Sequence, residues 1–231
     1  MLKRILYQLY PSICVLCGGR GQGHRPLCGD CEQDLPENSH ACTRCACPLP
    51  LDVDARLCAR CLQQAPPFDQ AWSPFLYAQP LEWMIHQFKF NAKLYMGRLL
   101  ADMVIARLPV RPDPPECIIP VPLHPRRLRQ RGFNQSMELA HHLGTALAVP
   151  VDDQHCHKII HTSAQTGKTA RQRRRNVRHA FRFDNRPQYR HVVLLDDVIT
   201  TGSTVSELAR VLRAQGVRRV DAWSIARAPF K

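Results

Sequence analysis

Eight cysteines in four CxxC pairs, Cys14/Cys17, Cys28/Cys31, Cys42/Cys45 and Cys58/Cys61, fall within the first 61 residues of a 231-residue chain. The spacing lets two thiolates from one tight turn reach the same ion, and two such knuckles complete a tetrahedral S₄ site suited to Zn²⁺. Four pairs therefore predict two structural Zn²⁺ ions. Sequential pairing, 14/17 with 28/31 and 42/45 with 58/61, gives two stacked ribbons, while an interleaved cross-brace uses the same cysteines. Disulfides would need an oxidising compartment, and a redox CxxC is normally single and close to a βαβ pattern. The segments between knuckles hold too little apolar sequence for a core of their own, so zinc binding is expected to supply this module's folding free energy. Cys47, Cys117 and Cys156 have no CxxC partner and are expected to be buried as small apolar side chains.

A second stretch, Val192 to Thr204 (VVLLDDVITTGST), is built in a different way. Its first four residues read as a short buried strand, with Asp196 and Asp197 at the carboxyl end, where open α/β sheets bind ligands. Two acids there can hold vicinal ribose hydroxyls or a phosphate-bound Mg²⁺. Thr200, Thr201, Gly202, Ser203 and Thr204 offer hydroxyls and approachable amides ahead of a helix, whose N-terminus favours an anion. Thr204 and Glu207 are expected to form a capping box, with Val205, Leu208, Ala209 and Leu212 on the buried face and Gly216 as a stop. Neither GxxxxGK[ST] nor GxGxxG is present. The stretch closely resembles the 5-phosphoribosyl-1-pyrophosphate (PRPP) signature of type I phosphoribosyltransferases.

Between these landmarks, Pro66, Pro67 and the loop after them precede a helical stretch from Leu81 to about Leu108 with a break near Asn91. Residues 109–115 are a proline-rich connector. A strand from Glu116 to Val121 leads into PVPLHPRRLRQRGFNQS, a proline-stiffened loop in which Arg126, Arg127, Arg129 and Arg131 gather positive charge at a strand end. A helix is expected over Asn134 to Leu147 and a short strand near His155 to Ile160. The expected organisation is a zinc module over 1–65, a helical connector over 66–115 and an α/β domain over 116–231.

Formal net charge is +13, which favours anionic partners. Residues 11–65 carry five arginines against six acids, whereas 157–191 carry ten Lys and Arg against Asp184 alone, so the excess belongs to the C-terminal part. The polar segment HTSAQTGKTARQRRRNVRHAF suits a lid over an anionic substrate or a grip on single-stranded nucleic acid. The zinc module is nearly neutral and poor in aromatics, which points to structural or protein-docking work. No apolar run reaches membrane length and the first residues lack a continuous apolar core, so the reading is a cytoplasmic protein without membrane insertion.

Taken together, the four CxxC pairs, HQFKF, PVPLHPRRLRQRGFNQS, the RxxNV within 165–181 and the PRPP signature resemble the ComF family, whose members include proteins named GntX. That resemblance implies a double zinc ribbon followed by a type I phosphoribosyltransferase domain, a doubly wound parallel sheet with helices on both faces. It implies that Asp196 and Asp197 hold the ribose hydroxyls and Thr200 to Thr204 the 5-phosphate. Pyrophosphate with Mg²⁺ falls to the loop after Val121, including Arg127 and Arg131. Arg173 and Asn176 would close over pyrophosphate, as in the flexible loop of glutamine-dependent amidophosphoribosyltransferases. Natural competence, DNA uptake and use of external DNA are the implied setting.

Two function classes fit these residues. One is a PRPP-dependent transferase, whose acceptor no stretch of the sequence names, with the zinc module as a candidate hood. The other is a non-enzymatic adaptor of the transformation machinery, binding single-stranded DNA or docking a helicase or recombination mediator.

Overall fold

A computed structural model of the chain describes residues 12–52, 55–91, 93–109, 113–161, 177–184 and 188–229. Its centre is β6 (His191–Ile199), flanked by β3 (Cys117–Pro120) and β7 (Arg219–Arg227), all mutually parallel. Alternate residues of β6 face opposite layers, as a period of two requires: Val193 and Leu195 join one apolar cluster, Val192 and Leu194 the other.

The first cluster is closed by α3 (Leu81–Phe90), α4 (Leu94–Ile105) and α6 (Gln135–Leu147), and the second by α7 (Ser203–Ala214). A separate antiparallel pair, β4 (Cys156–Lys158) and β5 (Phe181–Phe183), also joins the α7 layer. The expected break near Asn91 is the α3–α4 corner. There the two helices approach so closely that a Cβ on Gly97 would lie 2.5 Å from the Phe88 ring.

The loop after Pro67 holds two strands that the sequence does not announce. β1 (Gln70–Trp72) and β2 (Phe75–Leu76) both pair with β7 in one continuous register, so they form a single edge strand interrupted at Ser73–Pro74. Proline cannot donate to a ladder, and here Ser73 Oγ instead meets Ser224 Oγ at 2.7 Å. The strand's outer side is covered by the chain joining the two cysteine modules: the Asn38 amide donates to the Pro74 carbonyl, and the Leu76 amide to that of Pro36.

Two short helices, α1 (Gly29–Gln33) and α2 (Ala59–Gln63), follow Cys28 and Cys58. Cys14, Leu27 and Leu35 pack into the α3–α4 layer, while Cys42, Cys45, Cys47 and Cys61 pack into the α7 layer. The cysteine modules thus straddle the β1/β2 edge, one on each face of the sheet, and borrow its core instead of building their own. Cys117 and Cys156 are buried, as expected. Among the described residues no helix is long and apolar enough to cross a membrane.

Candidate functional site

The eight CxxC thiols form two groups, Cys14, Cys17, Cys28 and Cys31, then Cys42, Cys45, Cys58 and Cys61, with all sulfurs of a group within 4.8 Å of one another. Pairing is therefore sequential. Cys17 and Cys28 sulfurs lie 3.7 Å apart, as do those of Cys45 and Cys58. A disulfide would bring them to about 2.0 Å, whereas the edge of a ZnS₄ tetrahedron with Zn–S near 2.3 Å is about 3.8 Å. Burial opposes ionisation of Cys14 and Cys42, yet backbone N–H donors bring Cys14 down to about 6 and Cys42 down to about 7. Both groups fit structural zinc sites.

The second site is a cleft of about 540 Å³ at the carboxyl ends of β3 and β6. Asp196, Asp197, Thr200, Thr201, Gly202, Ser203, Thr204, Arg127 and Arg131 all line it, so residues from two separate sequence motifs converge on one space, while Arg126 and Arg129 of the same loop are not among its lining residues. Arg173 and Asn176 lie outside the described residues.

The acid pair is not at the end of its strand, as expected, but within it: pairing with β7 continues to Ile199. The alternation changes phase across the pair, Val198 joining the α3–α4 layer and Ile199 the α7 layer. Both acids find partners in the same helical layer. Ser136 Oγ donates to Asp196 Oδ1 at 3.3 Å, and Lys89 Nζ sits 2.8 Å from Asp197 Oδ1. Burial, and after it the Asp197 charge, push the Asp196 carboxyl up to about 7, against the pull of Lys89, the Asp197 amide and the Ser136 hydroxyl.

The loop after Val121 is not extended throughout. His124 Nδ1 accepts from the Arg126 amide and Pro125 occupies the first turn, so Pro125–Arg131 is a short helix, α5, that stops at Gly132. Helical spacing decides which arginines matter: Arg127 and Arg131, four apart, share the face that lines the cleft. Arg131 is held by Gln135, whose Oε1 accepts from Nη1 at 2.7 Å.

The capping box expected of Thr204 and Glu207 does not form. Gly202 takes a left-handed conformation (φ +73°) and starts α7 at Ser203, so Thr204 is already helical. Glu207 is engaged elsewhere, its Oε1 accepting from the His179 amide at 2.8 Å and its Oε2 from Arg210 at 2.7 Å. Thr201 Oγ1 instead meets Ser203 Oγ at 2.6 Å. The amides of the first turn, without intrahelical acceptors, are at the cleft.

Sequence reasoning left several residues of this site unassigned, Lys89, Ser136 and Lys158 among them. From the sequence Lys89 could reach phosphate, though solvated helix lysines are commoner; here it is half-buried against Asp197. Ser136 lies in the first turn of α6 and belongs to no acidic or basic motif. Lys158, on β4, lines the cleft; burial, then the Arg127 charge, lower its pKa, with Asp196 raising it. The nearest signal was the HQFKF run that carries Lys89.

Residues 5–62 match a family model described as a double zinc ribbon domain. The chain is 36% identical over 223 residues to the DNA utilization protein YhgH of Escherichia coli O157:H7, spanning 94% of this chain and 97% of that protein. It is 35% identical over 226 residues to Competence protein F of Haemophilus influenzae, spanning 93% and 96%. Competence protein ComFC of Bacillus subtilis is 26% identical over 223 residues, spanning 92% and 83%. With such relatives matched along nearly their full length, and a double zinc ribbon set against a parallel sheet, the chain belongs to the ComF family.

Proposed function

We propose that the cleft binds PRPP with Mg²⁺, and that the chain uses this site in natural competence, DNA uptake or the use of external DNA. One observation carries the reading: the acid pair, the hydroxyl-rich turn and two arginines surround a single space of about 540 Å³, large enough for a phosphorylated sugar. Each part meets a different portion of the ligand. Asp196 and Asp197 take the ribose hydroxyls, Thr200 to Thr204 the 5-phosphate, and Arg127 and Arg131 the pyrophosphate. Arg173 and Asn176, from the basic segment, would cover it. Mg²⁺ bound with the pyrophosphate would supply charge neutralisation as that group leaves. Positioning by the arginines and Lys158 would do the rest, since departure of pyrophosphate builds oxocarbenium character at C1. Whether a transfer follows binding depends on an acceptor.

The names of the relatives and the net charge of +13 favour a second activity, contact with single-stranded DNA through the basic segment. In this reading the double zinc ribbon is a scaffold that also docks a helicase or recombination mediator.

Calorimetric titration of zinc-loaded protein with PRPP and Mg²⁺ tests the assignment. Micromolar binding is expected, reduced at least about 100-fold in the D196N/D197N variant with zinc content unchanged. Equal affinity in that variant would remove the site.

A further inference from the structure

A second cavity, of about 640 Å³, shares the Thr201–Ser203 turn with the cleft but opens between the second cysteine module and α7. Neither acid of the pair and neither cleft arginine lines it. Its apolar part is Pro66, Pro67 and the buried Val177. Around these stand Arg60 of α2, Arg178, and Arg210 of α7. Glu207 is the one carboxylate among the lining residues, and the His179 amide and Arg210 already engage it. His179 holds a left-handed conformation (φ +58°), rare for a residue with a side chain, and Arg178 before it is exposed.

This lining selects among anionic ligands. A small inorganic ion would meet the guanidinium groups but leave the proline and valine surface uncovered in a space of this size. Single-stranded nucleic acid is held by cations together with aromatic faces for its bases, and the phenyl ring here, Phe68, is 2% exposed and too enclosed to stack on one. A peptide that carries both carboxylates and apolar side chains satisfies both parts, its acids on the arginines and its apolar groups on the floor.

We infer that the cavity between the second zinc ribbon and α7 docks an acidic, apolar peptide segment of a partner protein. The inference rests on the docking role given above to the double zinc ribbon and is independent of the phosphoribosyl reading.

Fluorescence anisotropy on the zinc-loaded full chain tests it, with a labelled decapeptide of alternating glutamate and leucine as the probe. Micromolar binding is expected, and a peptide with serine in place of leucine should bind about tenfold more weakly. Arg178→Gln should weaken the probe about threefold. Ser206→Trp, which fills the cavity from α7, should weaken it at least about tenfold with zinc content unchanged. The D196N/D197N variant should bind the probe as the unmodified protein does. Absence of probe binding would overturn the inference, as would equal affinity for the serine peptide. Probe binding that survives both Arg178→Gln and Ser206→Trp would exclude the cavity while leaving docking elsewhere on the ribbon intact. An oligothymidylate of equal charge that binds as tightly as the probe, and is lost in Ser206→Trp, would make the cavity a nucleic-acid contact and overturn the inference as well.

Discussion

The buried side chain of Arg227 donates through Nε to the Cys45 carbonyl at 3.0 Å, tying the last residue of β7 to a knuckle of the second cysteine cluster. The same guanidinium donates to the carbonyls of Ile199 and Thr200, at the start of the hydroxyl-rich turn. Arg227 is 1% exposed, and its guanidinium gathers backbone carbonyls from two distant stretches of the chain. The second zinc ribbon and the turn lining the cleft are therefore braced by one residue.

From this brace follows an asymmetry between the two metal sites. Cys58→Ser, which dismantles the second cluster, should weaken phosphate-ligand binding in the cleft about tenfold, through loss of the fixed Cys45 carbonyl. Cys17→Ser, in the cluster on the opposite face of the sheet, should leave it within about twofold. Zinc content and ligand titration on both variants check this. Equal losses would mean that zinc acts on the cleft only through overall stability.

The proton on Asp196 sets a pH dependence. Its pKa of about 7 stands above the ordinary carboxylate value near 4. Between those values the folded chain keeps a proton that the unfolded chain has released, so this residue favours folding at low pH and the contribution is lost as pH rises through about 7. Asp196→Asn should flatten that part of the stability profile in urea titrations between pH 5 and 8. Cation binding at the pair should run the other way, strengthening up to about tenfold per pH unit and levelling off above about pH 7.

Lys89 gives a related test. Its ammonium lies 2.8 Å from Asp197 and is among the groups that hold the Asp196 pKa down. Lys89→Met should move the midpoint of the Mg²⁺-binding profile upward by about one pH unit, and at pH 8 should raise affinity for free Mg²⁺ about tenfold, since no ammonium then competes for the carboxylates. A midpoint that stays in place would mean that the lysine turns away from the pair in solution.

These residues also mark how far the sequence could be read. The cysteine clusters, β6, α7 and the α3–α4 break follow from local spacing and periodicity, and the predicted cleft residues converge because they lie toward or just beyond the carboxyl ends of two adjacent parallel strands. What escaped depends on distant partners. QAWSPFL makes strands only because β7 is there to pair with, and Pro74 hides the pattern. The α7 start was misplaced because Gly202 turned the chain two residues before the expected cap, freeing Glu207 for His179. Arg227 looks like any basic residue near a chain end, yet it sits at 1% exposure among backbone carbonyls.

Contact with DNA can be separated from ligand binding by salt. Arg173, Arg174 and Arg175 lie outside the described residues, and their number sets the size of the effect. Each phosphate neutralised on a single strand contributes about 0.7 to the slope of log affinity against log salt. Replacing all three arginines by glutamine should therefore lower the slope for a single-stranded oligonucleotide by about 2. The D196N/D197N variant should leave that slope unchanged, because carboxylates neutralise no phosphates. Arg174→Gln with Arg175→Gln, which spares Arg173, should lower the slope by about 1.4 while PRPP affinity holds within about twofold. If the acid-pair variant altered the DNA slope as much as the arginine variants did, the two ligands would share one site, and the cleft itself would be the DNA contact.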